Sequence, residues 1–238
     1  MRIEVLADAE SVAQEAAARI AVQARASVAA RGRFIMAVSG GQTPWMMLRA
    51  LSTQDVPWDR VHVFQVDERV APVGHPDRNL THLRESLLAY ESVLNDRLYA
   101  MPVDASDLEA AAAQYTVTLQ AIAGSPPVLD LVHLGLGSDG HTASLVPGDA
   151  VLDVTDRDVA LTGIYQGRRR MTVTAPLLNR ARFVLWLVTG HDKHDILTRL
   201  RAGDRSIPAG GIRREHAVVL ADRAAAGDQG IQGHEFCP

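Results

Sequence analysis

The chain has 238 residues, 47% of them hydrophobic, with 24 Lys and Arg against 28 Asp and Glu for a net charge of −4. That is enough apolar content for a sizeable core, and it excludes the basic footprint that nucleic acid or an anionic membrane surface requires. A single cysteine, Cys237, excludes a disulfide framework and points to a reducing cytosol, the Met1-Arg2-Ile3-Glu4 start reads as no signal peptide, and no stretch reaches the roughly 18 apolar residues of a membrane span.

Ile3 to Leu6 reads as a short strand. Asp8 then caps a helix whose apolar positions Val12, Ala16, Ile20, Ala24 and Val28 recur every four residues, and Gly32 ends it. Phe34 to Val38 is a continuous apolar run, read as a central strand, and Ser39-Gly40-Gly41-Gln42-Thr43-Pro44 leaves its end. Pro44 suits the first turn of a helix from Trp45 to Leu51. Val61 to Val66 is a further strand, exiting into Asp67-Glu68-Arg69 and a Pro/Gly/His loop from Pro72 to Asp77. A helix from about Asn79 to Tyr90, a short strand near Leu98 and an Ala-rich helix from Asp107 to Ala123 follow.

Val128 to Leu134 reads as a buried strand running into Leu134-Gly135-Leu136-Gly137-Ser138-Asp139-Gly140-His141. Val159 to Ile164, Met171 to Thr174, Arg182 to Val188 and Val218 to Leu220 are strand-like, and Thr189-Gly190 opens a helix carrying Lys193. The tail, 227–238, is expected to fray. With no repeat, linker or composition break, strands alternating with helices predict one α/β domain over 1–238, with a mostly parallel sheet between two helical layers.

Three strands of that sheet end in small polar loops, at Ser39 to Thr43, Asp67 to Arg69, and Gly135 to His141. In a parallel sheet these exits share one edge, where open α/β folds bind ligands. Gly40-Gly41 lets successive N–H groups face one anion, with the Ser39 and Thr43 hydroxyls beside them and a helix N-terminus behind. A phosphate would also need cations. Arg170 and Lys193 are the candidates, although composition alone reads each as a solvated charge. Asp67 and Arg69 read equally as an ion pair or as contacts to a sugar. His141, two residues from Asp139 in a Gly-rich turn, is the candidate acid–base group. Ser144 lies outside a nucleophile elbow and reads as a packing or hydrogen-bonding residue. No histidine spacing suggests a metal site.

Together these motifs resemble the glucosamine-6-phosphate isomerase/6-phosphogluconolactonase family. The resemblance rests on Ser39 to Pro44, Asp67 to Arg69 with Asp77-Arg78-Asn79, Leu136 to Gly148, Arg170 to Thr174, and Val188-Thr189-Gly190 with Lys193. It implies a three-layer α/β/α fold with a Rossmann-like sheet. It also implies hydrolysis of 6-phospho-D-glucono-1,5-lactone by water that His141 activates as general base. The phosphate would be held by Ser39, Gly40, Gly41, Thr43, Arg170 and Lys193, with Gln42 and Gly137 in the same loops and Arg69 near the sugar. Asp139 or Asp67 would orient the imidazole; the sequence leaves that choice open. No cofactor or metal is implied. The partner is a small phosphorylated sugar lactone rather than nucleic acid or membrane, and the chain a monomer or small homo-oligomer.

Three positions depart from the family's pattern. Val146 stands where Phe is frequent, Arg78 where Ser is common, and Gln166-Gly167-Arg168-Arg169 where prolines usually precede the arginine. The last leaves open which of Arg168, Arg169 and Arg170 meets the phosphate, with Arg170 favoured by its place before Met-Thr-Val-Thr. The family's deaminases carry a Glu in the segment after the histidine and a Tyr in place of Arg69. Thr142 to Pro147 here holds no such acid. A non-catalytic sugar-phosphate sensor would be expected to have lost the histidine.

Overall fold

The computed structural model describes residues 1–88 and 96–227. Seven parallel strands form the central sheet: β1 (Arg2–Leu6), β2 (Phe34–Val38), β3 (Val61–Gln65), β5 (Leu98–Tyr99), β6 (Leu131–Gly135), β9 (Val184–Val188) and β10 (Ala217–Asp222). Their order is β1-β10-β9-β6-β2-β3-β5. Buried on both faces, β2 and β9 need no polar alternation and read as unbroken apolar runs.

Successive side chains of a strand point to opposite faces, and β2 divides the core accordingly. Phe34, Met36 and Val38 pack with Val12, Ala16, Ile20 and Ala24 of α1 (Ala9–Arg31) and Met47, Leu48 and Leu51 of α2 (Gln42–Leu51). Ile35 and Ala37 pack on the other side with α4 (Leu108–Ala123), α5 (Ala175–Arg180) and α6 (His194–Ala202). As predicted, Asp8 caps α1, accepting from the Ser11 N–H at 2.8 Å, and Gly32 ends it at φ 74°.

A second, three-stranded antiparallel sheet stands beside the first, in the order β4 (Asp67–Arg69), β8 (Arg170–Val173), β7 (Val159–Leu161). Asp67-Glu68-Arg69 is therefore a strand and not a loop. Val66 joins the two sheets, donating to the Val38 carbonyl at 3.1 Å and accepting from the Val173 N–H at 2.8 Å.

Several boundaries differ from the sequence expectation, each for a local reason. Gly41 caps α2, so the helix starts at Gln42 and takes Thr43 and Pro44 into its first turn. β6 begins at Leu131, and β7 ends at Leu161, before an exposed turn at Ile164. Lys193 closes a 3-10 turn (His191–Lys193) and α6 begins one residue later. α3 (Asn79–Leu83) continues as a π-helical turn, Arg84–Leu88; the rest of the expected helix, and the expected frayed tail beyond residue 227, lie outside the described residues. The short α5 and α7 (Arg223–Ala226) are additional. Among the described residues no helix is long and apolar enough to cross a membrane.

Candidate active site

β2 and β6 are neighbours, yet the chain leaves them in opposite directions, β2 towards β3 and β6 towards β9. The crevice beyond such a reversal is where an open parallel sheet receives ligands. A cavity of about 380 Å³ opens there. It is lined by eleven of the twelve residues singled out in the sequence: Ser39, Gly40, Gly41, Gln42, Thr43, Asp67, Arg69, Gly137, His141, Arg170 and Lys193. The twelfth, Asp139, is bonded to His141 and is not part of the lining.

The first wall is the loop after β2. Ser39 is fixed by His133 of β6: its N–H donates to Nδ1 and its hydroxyl to the His133 carbonyl, both at 3.2 Å. His133 is fully buried, and burial pulls its pKa down to about 3, so the neutral ring is free to accept. A Cβ on Gly40 would stand 2.1 Å from Asn79 Oδ1, which restricts that position to glycine. The α2 N-terminus has no side-chain cap, so its orphan N–H groups remain available to an anion. Thr43 Oγ1 meets Thr189 Oγ1 at 2.7 Å, joining this loop to the exit of β9. There the Gly190 N–H donates to both Asp222 oxygens, at 3.1 and 3.0 Å, and Lys193 Nζ lies 2.9 Å from Asp192.

The second wall belongs to the small sheet. Arg69 and Arg170 face each other across the β4–β8 ladder. Like charges in register repel, so an anion between or beside them relieves a real cost. Burial first, and the Arg69 charge with it, holds the Arg170 guanidinium below its ordinary pKa against the pull of Asp67. Arg170 donates to Ser144 Oγ at 3.4 Å and Gln166 Oε1 at 3.2 Å, while its buried Nε has no partner among the described residues. Arg168 instead pairs with Asp77 at 2.7 Å, and Arg169 with Glu109 at 3.3 Å. Neither lines the cavity. Arg69 donates to the Asp77 carbonyl at 2.8 Å.

The third wall holds the imidazole. His141 Nδ1 lies 2.6 Å from Asp139 Oδ1, which also accepts from the His141 backbone N–H at 3.1 Å. Burial raises the Asp139 carboxyl, but these bonds outweigh it and leave the group below its ordinary value. An ionised Asp139 fixes the His141 proton on Nδ1 and leaves the Nε2 lone pair, which has no partner among the described residues, for chemistry. Gly137 makes room for the ring, because a Cβ there would be 2.1 Å from His141 Nδ1. Asp67 is engaged elsewhere, accepting from the Ser144 hydroxyl at 2.7 Å. The buried Ser144 thus bridges Asp67 and Arg170, and its proton is committed.

Three residues of this region escaped the sequence reading. Glu68, fully buried, accepts from the N–H groups of Arg69, Asn79 and Leu80 and from Gln65 Nε2. It thereby fixes the start of α3 against β4. Asn79 donates to the Asp67 carbonyl at 3.1 Å, and Tyr165 donates to Asp139 at 2.9 Å. Glu68 and Asn79 carried a signal, their places within the quoted Asp-Glu-Arg and Asp-Arg-Asn motifs; Tyr165 carried none.

With that geometry in place, comparison with known proteins is specific. A 6-phosphogluconolactonase of Synechocystis sp. is 38% identical over 232 residues, 94% of this chain and 96% of the relative. The crystal structure of 6-phosphogluconolactonase from Thermotoga maritima superposes with a TM-score of 0.82 at 25% identity, covering 93% of this chain and 98% of that one. A monomeric glucosamine-6-phosphate deaminase superposes as well, with a TM-score of 0.83 at 18% identity over 96% of this chain and 100% of its own; that likeness extends to the fold alone. The profile described as glucosamine-6-phosphate isomerases/6-phosphogluconolactonase matches residues 7–221. The chain is a member of that glucosamine-6-phosphate isomerase/6-phosphogluconolactonase family.

Proposed function

We propose that the chain hydrolyses 6-phospho-D-glucono-1,5-lactone to 6-phospho-D-gluconate. The observation that carries this reading is one cavity shared by a carboxylate-held imidazole, His141, and by Arg170, Lys193 and the Ser-Gly-Gly loop. In the proposed reaction His141 Nε2 takes a proton from water as the water oxygen bonds to C1 of the lactone. The carbonyl electrons move to oxygen, where N–H groups of the glycine-rich loops stabilise the charge. When the intermediate collapses, the C1–O5 bond breaks and the imidazolium returns its proton to O5, giving the open-chain acid. The C6 phosphate lies away from the breaking bond, so its binding energy orients the carbonyl. Ser39, the N–H groups of Gly40 to Thr43, Arg170 and Lys193 hold it, and Arg69 and Asp67 face the sugar.

The choice of lactone over amino sugar rests on Arg69 and on the acid-free segment Thr142 to Pro147. Turnover of freshly made lactone, corrected for spontaneous hydrolysis, is the test. His141→Asn keeps the shape of the ring edge but accepts no proton, so kcat should drop by at least ~10²-fold with KM within ~3-fold. Retention of most of kcat would remove His141 from the mechanism. Ammonia release from glucosamine 6-phosphate at a rate rivalling lactone turnover would remove the substrate assignment.

A further inference from the structure

We propose that Tyr165 is a positioning residue of this site, holding Asp139 in place for His141 and joining that pair to Arg170. The inference rests on the lactone-hydrolysis reading above. Tyr165 begins a two-residue turn in which its N–H donates to the Arg168 carbonyl at 2.9 Å and its carbonyl accepts from the Arg168 N–H at 3.2 Å. The central residues, Gln166 and Gly167, have φ of 50° and 77°. Both positive angles belong to the tight turns that suit twisted hairpins, and a glutamine there is strained. Strain of that kind persists where surrounding contacts over-determine the backbone, and such places cluster at functional sites. Here Arg168 anchors the turn to Asp77 at 2.7 Å.

The anchored tip touches both halves of the site. The Tyr165 hydroxyl donates to Asp139 Oδ2 at 2.9 Å, the oxygen that His141 leaves free, so both carboxylate oxygens are engaged and the group cannot rotate. The ring stands edge-on to His141, with centroids 5.4 Å apart. The Arg170 guanidinium carbon lies over the same ring, 4.9 Å from its centre, within the range of a cation–π contact. Gln166 receives an Arg170 N–H at 3.2 Å. Burial, and secondarily the bond to Asp139, raises the Tyr165 pKa, so the phenol keeps the proton it donates. The charged or titratable groups around the imidazole are Asp139 on its own loop, Tyr165 on the turn, Arg170 on β8, Asp67 and Arg69 on β4, and Lys193 just before α6, which lines the same cavity. Of these Asp139 alone hydrogen-bonds the ring, at Nδ1, and the Tyr165 hydroxyl stands 3.4 Å from the same nitrogen.

A phenol that donates to the carboxylate draws off part of its negative charge and so weakens its hold on an imidazolium. Tyr165→Phe keeps the ring beneath Arg170 and removes the hydroxyl alone. It should lower kcat ~10-fold with KM within ~2-fold, and move the acid limb of the kcat/KM profile upward, because the carboxylate regains the charge the phenol drew off. The NMR titration of the His141 ring, measured without substrate, should move the same way. Tyr165→Leu also removes the ring, and should add a ~3–10-fold rise in KM. Wild-type kcat in Tyr165→Phe with an unmoved acid limb and an unmoved ring titration would overturn the proposal. If the wild-type protein fails to turn over the lactone, the functional reading falls, and the ring titration still decides whether Tyr165 acts on His141.

Discussion

Gly137→Ala tests the site's geometry with a single methyl group. The added Cβ would sit 2.1 Å from His141 Nδ1, 2.2 Å from Cε1 and 2.8 Å from Asp139 Oδ1, where ordinary contact begins at 3.4 Å. The ring must therefore retreat by about 1.3 Å, more than the 2.6 Å Nδ1–Oδ1 bond can tolerate. A displacement of about 1 Å in a catalytic group costs on the order of 10²-fold in rate, or ~2.7 kcal/mol of barrier. Gly137 is not among the residues at positive φ, so alanine fits the backbone, and Tm should stay level or rise slightly through the smaller entropy of the unfolded chain. The assay is kcat and KM for fresh lactone, alongside Tm. The expected pattern is kcat down ~10²-fold, KM within ~3-fold and Tm preserved. Unchanged kcat would mean that the Asp139–His141 contact does not set the rate.

Arg170→Ala should raise KM ~10–150-fold, the equivalent of about 1.5–3 kcal/mol for a charge-assisted contact, whereas Arg169→Ala should leave it within ~2-fold; equal effects would contradict the assignment of the phosphate to Arg170. The buried, neutral His133 makes stability depend on pH. Its folded pKa of about 3 lies below the unfolded 6.5, so the unfolded chain binds the extra proton and stability is lost as pH falls from 6.5 towards 3. Between pH 7 and pH 5 this single group should cost about 2 kcal/mol. Urea unfolding of His133→Gln should show that loss removed, and an identical pH dependence in the variant would refute the account.

The sequence reveals a segment most clearly where its own pattern decides its structure. α1 is legible because its buried residues recur every four positions between a capping Asp and a left-handed Gly. β2 and β9 are legible because both faces are covered, leaving no polar interruption. β4 is not, since Asp-Glu-Arg resembles an exposed loop until β8 lies beside it. α5 spans six residues, too few for a periodicity. At the site, clustered glycines mark the anion loop and the imidazole turn, and spacing alone brings Asp139 to His141. The partner of Asp67 is Ser144, 77 positions away, a contact that spacing along the chain does not show. Glu68 reads as a surface charge because only tertiary structure supplies the four donors that allow its burial.

The burial of Arg170 has a consequence for ionic strength. At 4% exposure its guanidinium is poorly reached by solvent and its ions, while the chain as a whole is anionic at −4. On the proposed reading, a phosphorylated lactone approaching from a distance meets the field of an anionic chain, and the cations of Arg69, Arg170 and Lys193 attract it at the cavity. Added salt, with a screening length of about 8 Å at physiological strength, reduces the repulsion outside and reaches the buried contact weakly. If the chain binds the proposed lactone, its capture should therefore depend only weakly on salt, unlike that of proteins that draw anions across open water with exposed lysines.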